Sequence, residues 1–226
     1  MRVKICGVCR PEDAAIAEEC GADYIGVILA PGYGRSRTPE EAARIWAAAP
    51  RSRRAGVFVD PSPGSVLEAA ERLALDVVQL HGAEAPESVA ALRAQGRFRV
   101  WKAVRPRGPE DVVAAVAAYA SAADALLLDG GSGGAAGGTG ARFDWDAVAA
   151  VRGRLPPDLA LVVAGGLDPE NVAAAIARLS PDVVDVSSGV ERSPGVKDPD
   201  RVRAFIAAAR APHGAAAASS DSRKVP

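Results

Sequence analysis

Short β-branched or leucine-rich runs alternate along the chain with longer Ala/Glu/Arg segments that carry helix start signals, the pattern of repeated βα units. The runs predict strands at Arg2–Cys6, Tyr24–Leu29, Ala55–Val59, Val77–Leu80, Arg99–Val104, Ala125–Leu128, Leu159–Ala164 and Val183–Val186. Each is followed by a helix entry. Pro11-Glu12-Asp13 opens the first, and Thr38-Pro39-Glu40-Glu41 opens the second, with Thr38 as N-cap and proline at the first helical position. Ser62-Pro63 opens the third; Pro86 to Gln95 and Pro109 to Tyr119 are the fourth and fifth. The sixth begins near Trp145, the seventh uses Asp168-Pro169-Glu170 as cap and first turn, and the last runs from Pro199 to Ala209. Eight strands alternating with eight helices predict one α/β domain over residues 1–210, a (β/α)8 TIM barrel. A doubly wound open sheet uses the same elements, but no strand leads at once into the spaced glycines of a dinucleotide site. Residues 211–226 are small, polar and charged without apolar period, and predict a disordered tail outside the function.

Composition narrows the class. The 226 residues suffice for one large buried core, and a net charge of −1 without basic, aromatic-studded stretches argues against nucleic acid. No apolar run reaches membrane-spanning length, and Met1 to Cys6 alternates like a strand rather than a signal peptide, so a cytoplasmic protein is expected. Three cysteines at 6, 9 and 20 are an odd set that suits a reducing compartment. With two histidines and no second ligand pair beside Cys6-Gly7-Val8-Cys9, no metal is expected. The same Cys-x-x-Cys lies at a strand end in an eightfold repeat, which is the wrong place for a thioredoxin-like redox pair.

In a barrel, chemistry gathers at the C-terminal strand ends. Those ends leave Cys6, Arg35 or Arg37, Asp60, Gln79 and His81, Lys102, Asp129, Gly165-Gly166, and Asp185 to Gly189. Leu126 to Phe143 is the most suggestive stretch: a leucine strand, an acid at its end, then a glycine-rich loop. Gly137 to Gly140, Gly165-Gly166 and Ser187 to Gly189 follow strands six, seven and eight, where barrels hold phosphate on backbone N–H groups. Singly, each feature has a plainer reading: Cys6 as a small buried hydrophobe, His81 as a turn residue, Gly130 to Gly140 as a connector. Their joint placement favours a site.

The motifs Val3-Lys4-Ile5-Cys6-Gly7, Gly56-Val57-Phe58-Val59, Val78-Gln79-Leu80-His81-Gly82, Leu127-Leu128-Asp129, Gly137-Gly138-Thr139-Gly140 with Phe143-Asp144-Trp145, Ala164-Gly165-Gly166-Leu167 with Pro169-Glu170-Asn171-Val172, and Asp185 to Glu191 with Pro194-Gly195 and Lys197-Asp198 run in order over residues 3 to 198. Together they resemble phosphoribosylanthranilate isomerase, a barrel enzyme of tryptophan biosynthesis. The resemblance implies a cofactor-independent Amadori rearrangement of N-(5′-phosphoribosyl)anthranilate to 1-(2-carboxyphenylamino)-1-deoxyribulose 5-phosphate, one small phosphorylated substrate, and a monomer or a homodimer. By position, Asp129 resembles the general acid that protonates the ring oxygen and Cys6 the general base that removes the C2 proton. Asp129 is then expected to be partly protonated through burial, and Cys6 to reach its thiolate through nearby cations. Arg35, rather than Arg37, resembles the residue holding the anthranilate; Gln79, His81 and Asp185 resemble further substrate contacts. Gly138, Gly140, Gly165, Gly166, Ser187, Ser188 and Gly189 resemble the phosphate cup, with Ser132 to Ala136 expected to close over bound substrate. Cys9, Arg142 and the lengthened sixth loop depart from the family pattern, and Cys9 suggests oxidative pairing with Cys6. Competing readings are a histidine-pathway or dual-specificity phosphosugar isomerase, whose aspartate at the first strand end is here a cysteine, and a non-catalytic phosphate-binding barrel.

Overall fold

In a computed structural model of the chain, described over residues 1–130, 145–149 and 152–212, eight parallel strands close into a barrel in the order β1 to β8. They are β1 (Arg2–Ile5), β2 (Tyr24–Ile28), β3 (Arg53–Phe58), β4 (Val77–Leu80), β5 (Arg99–Val104), β6 (Ala125–Asp129), β7 (Ala160–Ala164) and β8 (Val183–Val186). Outside lie α1 (Pro11–Glu19), α2 (Pro39–Ala47), α3 (Pro63–Leu73), α4 (Pro86–Arg93), α5 (Pro109–Tyr119), α6 (Trp145–Ala149), α7 (Val172–Leu179) and α8 (Pro199–Arg210). The (β/α)8 expectation is met. No described helix is long and apolar enough to cross a membrane.

Strand alternation sorts the core into two shells. Tyr24, Ala55, Val77, Trp101, Ala103, Ala125, Leu127, Val162, Ala164 and Val183 pack together inside the barrel, and Tyr24 meets Trp101 edge-on at 5.1 Å. The intervening positions, such as Ile25, Val78, Leu126, Leu128 and Val163, face the helices with Trp46 and Phe205. Four small alanines among the inward set leave room for Trp101 and Tyr24, which gives the alanine-rich composition a packing role.

At the N-terminal end of the barrel one device recurs. Asp23, Asp76, Asp124 and Asp182 each precede an even-numbered strand, and each carboxylate accepts the backbone N–H of the odd-numbered strand before it: Val3, Arg54, Val100 and Leu161, all at 2.8 Å. The sequence carries the signal as an acid directly before each of those strands. Helix caps mostly match expectation: Thr38 and Glu41 form a full capping box, and Ser62 caps α3. The seventh does not. Asp168 was expected to cap α7, but the helix starts at Val172 with Asn171 as N-cap, because Asn171 holds the preceding loop by donating to the Gly166 carbonyl at 2.9 Å and accepting from Asp168 N.

An unpredicted antiparallel hairpin follows β8, with β9 (Glu191–Ser193) and β10 (Val196–Lys197) joined by Pro194-Gly195. It is tied to α1 through Lys197 N on Asp13 Oδ2 at 3.1 Å. The hairpin lays Glu191 and Lys197 over the end of β1.

Candidate active site

The site rises from the barrel interior. Lys4 is fully buried, and its ammonium donates to Gln79 Oε1 and Asp185 Oδ2, each at 2.9 Å. Burial alone lowers a lysine pKa, but the Asp185 carboxylate and neighbouring Cys6 outweigh it and hold the Lys4 proton above its ordinary range. Gln79 passes the contact on: its amide nitrogen lies 2.9 Å from His81 Nδ1, and His81 Nε2 lies 3.1 Å from Asp129 Oδ2. A hydrogen-bonded row thus runs across the barrel from Asp185 on β8 to Asp129 on β6.

Cys6 sits at the end of β1 with Lys4 below and the hairpin above. Lys197 Nζ donates to the Cys6 carbonyl at 2.7 Å, to Ser187 O at 3.1 Å and to Glu191 Oε1 at 3.1 Å. Glu191 in turn takes both Nε and a terminal nitrogen of Arg35, at 2.8 and 2.6 Å. Burial works against Glu191 ionisation, yet Arg35 and Lys197 hold its carboxyl below the usual range. Gly26 on β2 makes space: a Cβ there would stand 3.0 Å from both Cys6 Sγ and Lys4 Cε. The expectation for Cys6 needs correction in one respect. The cations are present, but burial pushes the thiol above its ordinary value against the pull of Lys4 and Lys197.

The opposite rim is backbone. Gly165 and Gly166 adopt left-handed φ values of +80° and +64°, and a Cβ on Gly165 would fall 2.0 Å from Gly130 N. Gly189 lies so close to Leu167 that a Cβ would meet its carbonyl oxygen at 1.9 Å. Loops after β6, β7 and β8 are therefore in main-chain contact, with Gly165, Gly166, Ser187, Ser188 and Gly189 half-buried along them. Gly138, Gly140 and the Ser132 to Ala136 segment lie outside the described residues.

Of the expected site residues, Cys6, Asp129, Asp185, His81 and Arg35 converge on the C-terminal mouth. Gln79 lies beneath it, 1% exposed, with both ends of its amide engaged by Lys4 and His81, so it supports the site instead of forming its surface. Two strand-end residues leave the site altogether. Lys102 points between barrel and helices, where it pairs with Glu84 at 2.9 Å, and Asp60 joins that cluster by accepting from Ala83 N. Arg37 is spent within its own region, donating to Cys9 O at 3.0 Å and Ser36 O at 2.5 Å. Cys9 is a free thiol that donates to Gly7 O and Arg35 O.

Lys4, Arg105, Glu191 and Lys197 were not singled out as site residues. Arg105, just past β5, has its Nε 3.7 Å from Asp129 Oδ2, while Nε and one terminal nitrogen are buried without a hydrogen bond. On the β8 side, Asp185 Oδ1 is likewise buried without a partner. Two unsatisfied buried groups, one donor and one acceptor, thus face a common mouth.

The (β/α)8 barrel carries a thiol and an imidazole-linked carboxylate at one mouth, rimmed by glycine loops, the arrangement of a barrel enzyme. The chain belongs to the N-(5′-phosphoribosyl)anthranilate isomerase family, whose model matches residues 3–208. The N-(5′-phosphoribosyl)anthranilate isomerase of Geobacter sp. (strain M21) is 46% identical over 210 residues, covering 92% of this chain and 98% of its own. That of Halorhodospira halophila is 47% identical over 208 residues, covering 91% and 95%. Among solved structures, the isomerase from Thermotoga maritima superposes with a TM-score of 0.82 at 40% identity, covering 92% of this chain and 98% of that one. A phosphoribosylanthranilate isomerase solved in complex with reduced 1-(o-carboxyphenylamino)-1-deoxyribulose 5-phosphate gives 0.79 at 39% identity, with the same coverage.

Proposed function

We propose that the protein isomerises N-(5′-phosphoribosyl)anthranilate to 1-(2-carboxyphenylamino)-1-deoxyribulose 5-phosphate, with Asp129 as general acid and Cys6 as general base. Asp129 protonates the furanose ring oxygen while the anthranilate nitrogen releases its lone pair toward C1, opening the ring to a Schiff base. Cys6 then removes the C2 proton, and the resulting enolamine tautomerises to the ketone with a proton gained at C1. Asp185 Oδ1 accepts from the anthranilate amine, and Arg35, held in place by Glu191, faces the anthranilate carboxylate. The phosphate rests on the backbone of Gly165, Gly166, Ser187, Ser188 and Gly189, together with the sixth loop that carries Gly138 and Gly140. The cytoplasm, where three free thiols stay reduced, is its proposed place of work.

The observation that carries the reading is the placement of a thiol and a carboxylate at the ends of β1 and β6, with a buried acceptor, Asp185 Oδ1, left unsatisfied near the thiol. Its test is growth of a tryptophan auxotroph lacking this isomerase. The wild-type chain is expected to restore growth without tryptophan, and Cys6→Ala and Asp129→Asn each to fail while accumulating as soluble protein. Growth restored by both variants would overturn the assignment.

A further inference from the structure

We infer that Glu191 is a positioning residue that decides which edge of the Arg35 guanidinium is offered to the substrate, and so sets the preference for an arylamine that bears a carboxylate. The inference deepens the proposed role of Arg35 and rests on it. A guanidinium has two edges that take a carboxylate through paired N–H bonds: a side edge of Nε with Nη2, and an end edge of the two terminal nitrogens. Glu191 fills the side edge, its Oε1 accepting from Nε at 2.8 Å and its Oε2 from Nη2 at 2.6 Å. The end edge is what remains for a second carboxylate. Glu191 cannot follow the guanidinium if it turns, because Oε1 also accepts from Lys197 Nζ at 3.1 Å, and that ammonium is held by the carbonyls of Cys6 and Ser187. The stem of Arg35 is fixed as well. Gly7 has a φ of +65°, and a Cβ there would stand 2.8 Å from both Arg35 Cδ and Ser187 Oγ, so the stem crosses the chain directly after the proposed base. The Glu191 side chain is 5% exposed and that of Arg35 20%, so the open side of the pair belongs to the guanidinium. An arginine clamped in this way receives a carboxylate at one place, in fixed relation to Cys6.

Calorimetry with two stable amines, 1-(2-carboxyphenylamino)-1-deoxyribitol 5-phosphate and its carboxylate-free counterpart 1-phenylamino-1-deoxyribitol 5-phosphate, reads this preference as a ratio of Kd values. The wild type is expected to bind the carboxylate ligand about 10- to 10²-fold more tightly, the worth of a charge-assisted pair. Glu191→Asp keeps the charge but is one methylene too short to hold Lys197 and both Arg35 nitrogens. It is expected to lower the ratio about five- to tenfold while binding the carboxylate-free ligand within about twofold of wild type, as lost preorganisation does. Glu191→Gln keeps the length but turns an amide N–H toward Arg35 in place of one acceptor, and is expected to lower the ratio likewise. A wild-type ratio in Glu191→Asp would overturn the inference, whether or not both ligands weaken together, since that is the mark of a merely structural role. A raised ratio in Glu191→Gln would also overturn it, because Glu191 would then act only through its negative charge. Arg35→Met tests the underlying reading separately and is expected to bring the ratio to about one. A wild-type ratio there would remove the role of Arg35 itself, whereas a collapsed ratio there beside an unchanged Glu191→Asp would remove only that of Glu191.

Discussion

A thiol buried as deeply as that of Cys6 holds its proton harder than one in water, and Lys4 and Lys197 offset only part of the lost hydration. As the proposed base, Cys6 acts through its thiolate, whose fraction rises about tenfold for each pH unit below the thiol pKa. Because burial raises that pKa above the ordinary value of 9.0, the rate at which iodoacetamide inactivates the enzyme through the Cys6 thiolate, a step that does not need protonated Asp129, is expected to keep rising with pH through 9. Lys4→Met removes a charge that favours the thiolate, so its rising limb is expected to move to still higher pH. The variant also leaves Asp185 buried without its ion, destabilising the fold by about 3–5 kcal/mol, so the pH–rate profiles belong at low temperature. A limb that levels below pH 8, or one that stays in place in Lys4→Met, would contradict this account of the base. Strand-end position brought Cys6 and Asp129 to notice in the sequence, but along with Lys102 and Asp60, which turn away from the mouth. It did not show the role of Lys4, which in a strand reads only as a polar alternation; closure of the barrel brings it to Gln79, 75 positions away, and to Asp185, 181 positions away.

At the scale of elements, β4, β5 and β8 keep their predicted bounds, and β6 and β7 differ from theirs by one residue at one end. β3 starts earlier than its apolar run because Arg53 and Arg54 pair with β2 despite their charge, with Arg53 N donating to Asp23 O at 3.0 Å. The β9–β10 hairpin escaped because it is short, and two of its residues, Glu191 and Lys197, act through ion pairs instead of apolar alternation. The aspartates before β2, β4, β6 and β8 belong to this scale too. Asp124 accepts Val100 N while also bonding Arg93 and Arg99, so it fastens β5 to the start of β6 far from the mouth. Asp124→Ala is expected to lower unfolding stability by about 1–3 kcal/mol, through the amide left unpaired, yet keep kcat/KM within twofold. Urea denaturation beside steady-state kinetics checks both; a loss of activity without a loss of stability would contradict the division.

That division extends to the whole molecule. The N-terminal end of the barrel carries the repeated aspartates and the Tyr24–Trp101 contact, while the C-terminal end carries the thiol, the imidazole-linked acid and the glycine rim. The eightfold alternation was readable because each βα unit repeats the same local signals. Which charged residues belong to the mouth was less so, because Lys102 and Asp60 end strands like the others but turn to Glu84 between the barrel and its helices. Glu84 itself is held below the usual carboxyl range: burial opposes ionisation, and the Lys102 ammonium overrides it. The mouth, with its buried acceptor on Asp185 and buried donors on Arg105, is the part arranged for a ligand. Its use in the isomerisation is tested most directly by kcat/KM of the purified wild type, Cys6→Ala and Asp129→Asn with N-(5′-phosphoribosyl)anthranilate. The account predicts turnover by the wild type and a loss of about 10²–10⁴-fold in each variant with the fold intact; a wild type without turnover, or variants within tenfold of it, would contradict it.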